Sequence, residues 1–321
     1  MGVAGASYAN RWRSADASKA IPGFVNALQM LVHCESIGAG GIQVGTPNWS
    51  EDFTGKVRDF REKKELYLEG SIRLPKDDSD IDRFTQEAKN SKEAGASILR
   101  TACLSGRRYE NFETAQAFEE FMKQSINSIE RAEPILEKYQ LKLAIENHKD
   151  WRVPDLLAML KRFDSKWIGV NLDTGNNISF LEDPMYVVES LAPYSFTTHI
   201  KDMGIQDYED GFLLSEVPLG SGVLDLKTII EVCQKHNPSI KFNLEMITRN
   251  PLKIPCLKEE YWVTFGDLPA REMIGALKWV RNHQTRSALP SVEGMNIEEK
   301  LAYEEVNIVD SFNYANNKLA L

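Results

Sequence analysis

The sequence has little of what membrane insertion, nucleic-acid binding and disulfide frameworks require. Its 321 residues contain no apolar run of the roughly 18 residues that a membrane-spanning helix needs. Acidic residues outnumber basic ones, 47 to 38, and the net charge of −9 disfavours a nucleic acid or an anionic membrane as the main partner. The four cysteines lie far apart without Cys-x-x-Cys spacing, which is typical of ordinary thiols in a reducing compartment.

Two further absences concern targeting and cofactors. The N-terminus has no charged segment followed by an apolar stretch, so we expect a cytoplasmic protein, with export open only if a signal peptide was removed. No predicted strand is followed by a glycine-rich phosphate loop of the G-x-G-x-x-G or G-x-x-x-x-G-K-[ST] type. We therefore expect no nucleotide cofactor.

Predicted strands and helices alternate along most of the chain. Eight strand–helix pairs are predicted within residues 1–285, which is the count of a (β/α)8 TIM barrel of the α/β class. Long segments, residues 201–221 and 248–269, follow the seventh and eighth strands, where such loops typically have about 2–6 residues. Residues 286–321 fall outside the pattern, and we expect this C-terminal extension to pack on the barrel or on a partner subunit.

Four consecutive predicted strands share one pattern, in which alternating apolar residues lead to a metal-ligand side chain. Strand side chains point alternately to opposite faces, so an apolar outer face turns these ligands into the barrel. The four are Glu146, Asp173, His199 and Glu245. A single acid at a strand end is usually solvated or paired with a base, but four in matching register predict one divalent-metal site. Three carboxylates and an imidazole suit Mn²⁺, Mg²⁺ or Co²⁺.

The same alternation of side chains between the two faces of a strand predicts which residues lie above the metal. His148 shares the parity of Glu146, Lys201 that of His199, and Arg249 that of Glu245 if the last strand extends so far. His148 would polarise or protonate a substrate oxygen, and Lys201 would hold a hydroxyl or an enediolate oxygen. The alternatives are that His148 bonds to neighbouring loops and that Lys201 pairs with Asp202 or another carboxylate.

Two arginines on the other half of the barrel are further candidates for substrate contact. Arg73 shares a predicted interior face with polar side chains, whereas the strand of Arg100 does not alternate cleanly. A salt bridge inside the barrel is the alternative for both.

Four stretches, Ile-Glu-Asn-His, Asn-Leu-Asp-Thr-Gly-Asn, His-Ile-Lys-Asp and Asn-Leu-Glu, resemble motifs of the sugar isomerase/epimerase superfamily of xylose isomerase-like TIM barrels. The resemblance covers roughly residues 3–285. Members of that superfamily include ketose 3-epimerases, hydroxypyruvate isomerases and inosose dehydratases, and others cleave glycosides through a keto-sugar. The resemblance implies one metal ion held by Glu146, Asp173, His199 and Glu245, with the two glutamates also transferring protons.

The implied chemistry is proton transfer beside a carbonyl. A cation that chelates the carbonyl and the adjacent hydroxyl stabilises the enediolate, and a carboxylate removes the proton as general base. A second carboxylate on the other face gives epimerisation, whereas one group acting twice gives isomerisation. We thus predict an isomerase or 3-epimerase of a small keto-sugar, with Mn²⁺ as the first choice of ion.

Other functions stay open as alternatives. A lyase or dehydratase would use the same enediolate to expel a β-substituent from a keto-sugar, a 3-keto-glycoside or an inosose. A non-catalytic sugar-binding protein would bind sugar without exchanging carbon-bound hydrogen. An abasic-site endonuclease normally needs more metal ligands than are available here, and the charge of −9 disfavours DNA. The sequence also leaves open whether the protein forms a homo-oligomer.

Overall fold

Eight parallel strands close into a barrel in the computed structural model, which describes residues 1–14, 20–285 and 287–321. The barrel order is β1-β2-β3-β4-β5-β6-β7-β10, with β10 returning to β1, and three further strands form a separate sheet. The strands are β1 (Gly2–Ala4), β2 (Gly41–Gly45), β3 (Tyr67–Ser71), β4 (Ile98–Thr101), β5 (Lys142–Glu146), β6 (Ile168–Asp173), β7 (Ser195–Ile200), β8 (Asp202–Tyr208), β9 (Gly211–Val217), β10 (Lys241–Leu244) and β11 (Leu252–Ile254). The predicted (β/α)8 TIM barrel is confirmed.

Helices connect the strands on the outside of the barrel. In chain order they are α1 (Ala9–Arg13), α2 (Ala27–Ser36), α3 (Glu51–Lys63), α4 (Ile81–Glu93), α5 (Arg108–Asn111), α6 (Ala115–Tyr139), α7 (Val153–Phe163), α8 (Pro184–Leu191), α9 (Leu226–His236), α10 (Glu259–Trp262), α11 (Ala270–Asn282) and α12 (Ile297–Tyr314). Among the residues that the structure describes, no helix combines the length and the apolar character that crossing a bilayer requires.

Local signals in the sequence set several helix boundaries. Helix α8 begins with Pro184, and the side chain of Asp183 accepts hydrogen bonds from the N–H groups of Met185 and Tyr186. Proline at the first helical position loses no intrahelical bond, and a capping carboxylate satisfies N–H groups that otherwise lack partners. Helix α9 has the same kind of cap but no proline, because the side chain of Asp225 accepts a hydrogen bond from the N–H group of Thr228. These caps direct each chain segment back along the barrel wall.

The alternation predicted for the ligand-bearing strands is present in the barrel wall. Leu143 and Ile145 of β5 and Val170 and Leu172 of β6 are all fully buried in the apolar layer between strands and helices. Burying these side chains removes apolar surface from water and stabilises each strand against its covering helix. The same register turns the side chains of Glu146 and its counterparts into the barrel.

The two long segments after β7 and β10 are more regular than the loops that we predicted. The first folds into the antiparallel hairpin of β8 and β9, and the second adds β11 to the outer edge of β9. A second apolar cluster, which includes Phe180, Met203 and Phe212, fills the space under this sheet. The hairpin therefore forms a fixed wall at one side of the barrel mouth.

The C-terminal extension packs along the barrel through α12, while Arg286, where we predicted the extension to begin, lies outside the described residues. Glu304 of α12 is fully buried, and its carboxylate accepts hydrogen bonds from the N–H groups of Asn10 (2.8 Å) and Arg11 (3.0 Å). Asn307 donates to the hydroxyl of Thr248 at 2.9 Å. Helix α12 thus links the segments that follow β1 and β10.

Candidate metal centre

Four side chains from separate strands converge at the carboxyl end of the barrel. Glu146, Asp173 and His199 lie at or near the ends of β5, β6 and β7, and Glu245 directly follows β10. Each offers one ligand atom, and these atoms lie within 4.8 Å of one another. All four residues are at most 5% exposed. The structure therefore brings together the four residues singled out from the sequence, and this buried cluster could bind a metal ion.

The orientation of the His199 ring tests whether these residues fit an ion. Its Nε2 lies 2.7 Å from Oε1 of Gln43, and Nε2 of Gln43 donates to Glu69 at 3.1 Å. Because an amide oxygen only accepts, the imidazole proton is assigned to Nε2 and the lone pair to Nδ1. Nδ1 is buried and has no hydrogen-bond partner among the described residues; it lies 3.3 Å from Glu146 and 3.4 Å from Glu245. A cation would satisfy that lone pair, so the donor set fits a metal.

The surrounding carboxylates also change the affinity of His199 for a proton. Burial by itself would lower the pKa of the imidazole, but the charges of Glu245 and Glu146 outweigh it and raise the pKa to about 9. A proton and a metal ion would compete for the same Nδ1 lone pair.

Asp173 is oriented by the backbone that follows it. Its Oδ1 accepts hydrogen bonds from the N–H groups of Gly175 (2.9 Å) and Asn176 (2.7 Å), which is the turn chemistry expected of aspartate. Its Oδ2 then faces the cluster. A side chain at Gly175 would clash, because its Cβ would lie 2.7 Å from Cγ of Met203. The Asp-Thr-Gly-Asn stretch thus presents one carboxylate oxygen, Oδ2 of Asp173, to the site.

Glu146 is held by two donors. Nε of Arg100 lies 2.6 Å from Oε2, and Nδ2 of Asn176 donates to Oε1 at 3.0 Å. Burial would raise the pKa of Glu146, but the charges of Arg100 and then His199 outweigh it and lower the pKa. Of the two environments considered for Arg100, the structure places it in a salt bridge inside the barrel, next to the metal cluster.

Lys201 pairs with the cluster itself. Its Nζ forms a short ion pair with Glu245 and lies 2.8 Å from Oδ2 of Asp173. Burial would lower the pKa of Lys201, but Asp173 and Glu245 outweigh it and raise the pKa. Asp202, the other partner considered, instead accepts N–H groups from the segment after β9, including Gly222 at 2.8 Å. The structure thus gives Lys201 the carboxylate-paired environment rather than an open substrate contact.

His148 and Arg73 line a cavity of about 480 Å³ next to the cluster. Nδ1 of His148 is buried and has no hydrogen-bond partner within residues 1–14, 20–285 and 287–321, and burial lowers the pKa of the ring to about 3, so the imidazole is neutral. Arg73 is an exposed residue of the same cavity wall. An adjoining cavity of about 350 Å³ is lined by Arg100, His199 and Glu245.

The guanidinium of Arg249 forms an ion pair with a residue of the β8–β9 hairpin instead of being open to the cavity. Its Nη2 lies 2.5 Å from Oε1 of Glu216 on β9, and Glu216 is 1% exposed. Glu216 and Lys149 are buried residues of this region that sequence reasoning missed. The amine of Lys149 donates to Asn176, and burial lowers its pKa to about 8. The Asp-Thr-Gly-Asn motif contained Asn176, but no sequence signal placed Glu216, because the hairpin was not predicted.

A larger cavity of about 750 Å³ lies between α8 and α11 and contains none of the four ligand residues. Its wall is largely apolar, with Leu181, Leu268 and Trp279 among the lining residues. This cavity and the candidate metal centre are therefore separate features of this protein.

The chain is similar to one curated protein over part of its sequence and to several solved structures in its fold. Over 109 residues it is 32% identical to 3-oxo-isoapionate decarboxylase of Pectobacterium atrosepticum, a match that covers 33% of this chain and 40% of that protein. The chain thus matches well under half the length of this curated relative.

Solved structures extend the likeness to the whole barrel. The probable 3-DHS dehydratase of Bacillus anthracis aligns with a TM-score of 0.58 at 18% identity, covering 84% of this chain and 99% of that one. An L-ribulose 3-epimerase aligns with a TM-score of 0.57 at 14% identity, covering 88% and 95%. At these identities the likeness shows the fold. A model of the xylose isomerase-like TIM barrel family matches residues 34–282, and the chain belongs to that family.

Proposed function

We propose that the protein is a divalent-metal-dependent enzyme that forms an enediolate from a small keto-sugar. The observation that carries the proposal is Nδ1 of His199, which has no hydrogen-bond partner in the described part of the chain and is buried among three carboxylates beside an open cavity. Glu146, Asp173, His199 and Glu245 would hold the ion. This oxygen-rich set favours Mn²⁺, with Mg²⁺ or Co²⁺ as alternatives. When bound, the ion would supply Lewis-acid polarisation of the carbonyl and the neighbouring hydroxyl oxygen.

The first candidate reaction is isomerisation or 3-epimerisation. Glu146 and Glu245 come from β5 and the end of β10, which β6 and β7 separate in the barrel. Carboxylates from separate strands can approach a bound sugar from different sides. One glutamate would remove the proton beside the carbonyl, and the other would return a proton to the opposite face. The neutral imidazole of His148 would exchange a proton with a substrate oxygen.

A lyase reaction is the second candidate, and the contacts of Glu146 favour it. Both of its carboxylate oxygens already accept a hydrogen bond, from Arg100 and Asn176, which makes Glu146 a weaker base. Elimination of a leaving group needs one base for the proton beside the carbonyl and one acid for the departing oxygen, and loss of carbon dioxide from a keto-sugar acid needs one acid to return a proton to carbon. Neither reaction needs two opposed carboxylate bases, and both gain from cations near the developing negative charge. Arg100 and Lys201 provide such cations, and the sequence relative named a decarboxylase supports this candidate.

The experiment that separates these outcomes is NMR of ketoses, keto-sugars and keto-sugar acids incubated in D₂O with the Mn²⁺-loaded protein. An epimerase or isomerase incorporates deuterium at the carbon beside the carbonyl and releases no fragment. A lyase releases water, carbon dioxide or an aglycone and leaves a shortened or unsaturated product. The Asp173→Ala variant serves as the control, because it removes one metal ligand. If the loaded wild-type protein produces neither exchange nor cleavage, the proposal is wrong.

A further inference from the structure

One positively charged side chain beside the metal centre has no partner within the described part of the chain. Arg73 lies just beyond β3 and lines the cavity of about 480 Å³. Its backbone oxygen accepts a hydrogen bond from Nη2 of Arg83 at 3.1 Å, and Arg83 is itself held by Asp80 at 2.7 Å. The backbone of Arg73 is therefore anchored, whereas its guanidinium forms no hydrogen bond or ion pair among these residues.

The other charged side chains of this cavity are already paired. Arg100 donates to Glu146 at 2.6 Å, and the carboxylate of Glu87 lies 3.3 Å from Nη1 of Arg83. Within the described residues, Arg73 is thus the charged group of this wall that remains free to bind a ligand. A single anionic group would neutralise it.

The position of this arginine relates it to the reaction site. The cavity that contains Arg73 and the cavity that reaches His199 and Glu245 have four lining residues in common: Gly45, Pro47, Ser71 and Arg100. A small molecule whose carbonyl end lies at the metal cluster can extend along this common wall towards Arg73. The hydroxyls of Ser71 and Ser105 offer further donors along the way.

We propose that Arg73 forms an anion subsite and that the substrate is a keto-sugar acid, with its carbonyl at the metal cluster and its carboxylate at Arg73. The inference rests on the proposed function, because it assigns the other end of the same substrate. The carboxylate is a binding group that determines specificity, and it takes no part in the proton transfer.

A carboxylate fits this subsite better than a phosphate ester. The planar fork of one guanidinium binds two oxygens of either a carboxylate or a phosphate, so the other groups of the wall decide between the two anions. Phosphate sites typically add backbone N–H groups of a glycine-rich loop or a helix N-terminus. The acidic side chain of Glu87 in the same wall would also repel a dianion more strongly than a monoanion.

The test compares ligands that differ at one end only. Calorimetric titration of the Mn²⁺-loaded protein would use D-fructuronate and D-tagaturonate, their parent ketoses D-fructose and D-tagatose, and D-fructose 6-phosphate. We expect at least one acid to bind about 10-fold or more tightly than its parent ketose. Arg73→Gln should weaken binding of that acid by about 10- to 100-fold and leave the affinity for the parent ketose unchanged. Arg73→Lys should restore part of the loss.

The matched control is Lys76→Gln, which removes an exposed positive charge three residues further on that does not line the cavity. It should leave all affinities unchanged. Equal affinity for acids and ketoses, equal weakening of both by Arg73→Gln, or preference for the phosphate ester would each overturn the subsite while leaving the proposed function intact. If the loaded protein binds the metal but none of these ligands, and catalyses neither exchange nor cleavage in D₂O, the proposed function fails as well.

Discussion

Nε2 of His199 lies 2.7 Å from Oε1 of Gln43, a residue 156 positions earlier in the chain. This contact assigns the ring proton to Nε2 and leaves Nδ1 free to face Glu146 and Glu245. Gln43 is fixed in turn, because its amide nitrogen donates to Glu69 at 3.1 Å. The proposed metal ligand His199 is thus oriented by a side chain of β2, on another part of the barrel.

Replacing that orienting residue should weaken metal binding. In Gln43→Leu the His199 ring loses the acceptor that selects its tautomer, and metal affinity should fall by about 10- to 100-fold. Titration with Mn²⁺ measures the affinity. The matched control is Asn243→Leu, which removes a different interior amide. Asn243 donates to Glu69 at 3.0 Å, and among the described residues its side chain forms no hydrogen bond with the ring of His199. Equal metal affinity in the wild type and Gln43→Leu would contradict the assigned role.

Removal of a ligand should abolish the site without unfolding the barrel. We expect Asp173→Ala and His199→Ala to lose the bound ion, because each supplies one of the four ligand atoms that lie within 4.8 Å of one another. Elemental analysis gives the occupancy, and circular dichroism verifies that both variants are folded. Full metal occupancy in both variants would remove these residues from the ligand set.

Metal affinity should increase with pH. The carboxylates raise the pKa of His199 to about 9, so below that pH an incoming ion must displace a proton. The apparent affinity should therefore rise by about tenfold per pH unit up to roughly pH 9 and then level off. Competition titrations at several pH values, together with the number of protons released per ion, test this relation. A flat profile between pH 6 and 8 would mean that the ring is already neutral there.

His148 should act on the substrate rather than on the metal. It lines the cavity, and its Nδ1 has no protein partner among the described residues. His148→Ala should keep the metal and slow turnover by roughly 10²- to 10⁴-fold if the imidazole transfers a proton. Steady-state kinetics and metal analysis on the same preparation decide the matter. Turnover at the wild-type rate would support the alternative role, in which His148 bonds to neighbouring loops.

Arg249 should contribute to stability through Glu216. Arg249→Met leaves the carboxylate of Glu216, 1% exposed, without its closest cation, and the free energy of unfolding should fall by about 2–3 kcal/mol. The double variant with Glu216→Leu should recover part of this loss, as measured by urea denaturation. Unchanged stability together with a raised KM would instead make Arg249 a substrate residue, as its strand parity suggested.

The sequence by itself determined the barrel and the identity of its four central side chains. Side-chain parity in a strand is a local property, so the apolar residues at Leu143 and Ile145 are sufficient to turn Glu146 inward. Parallel strands of one barrel end on the same face, and local parity therefore also predicted that Glu146, Asp173, His199 and Glu245 would meet.

The tertiary structure alone decided what each of these side chains contacts. The partners of Lys201, Arg249 and His199 are carboxylates or amides from distant segments, and parity gives a direction but no partner. The role of Glu216 could not be predicted from the sequence, because the pairing of β8 with β9 was not recognised. The inward face of a strand is known only once its register with a neighbouring strand is set. The same reason applies to Arg73, whose free charge became visible only when every neighbouring charge had been assigned its partner.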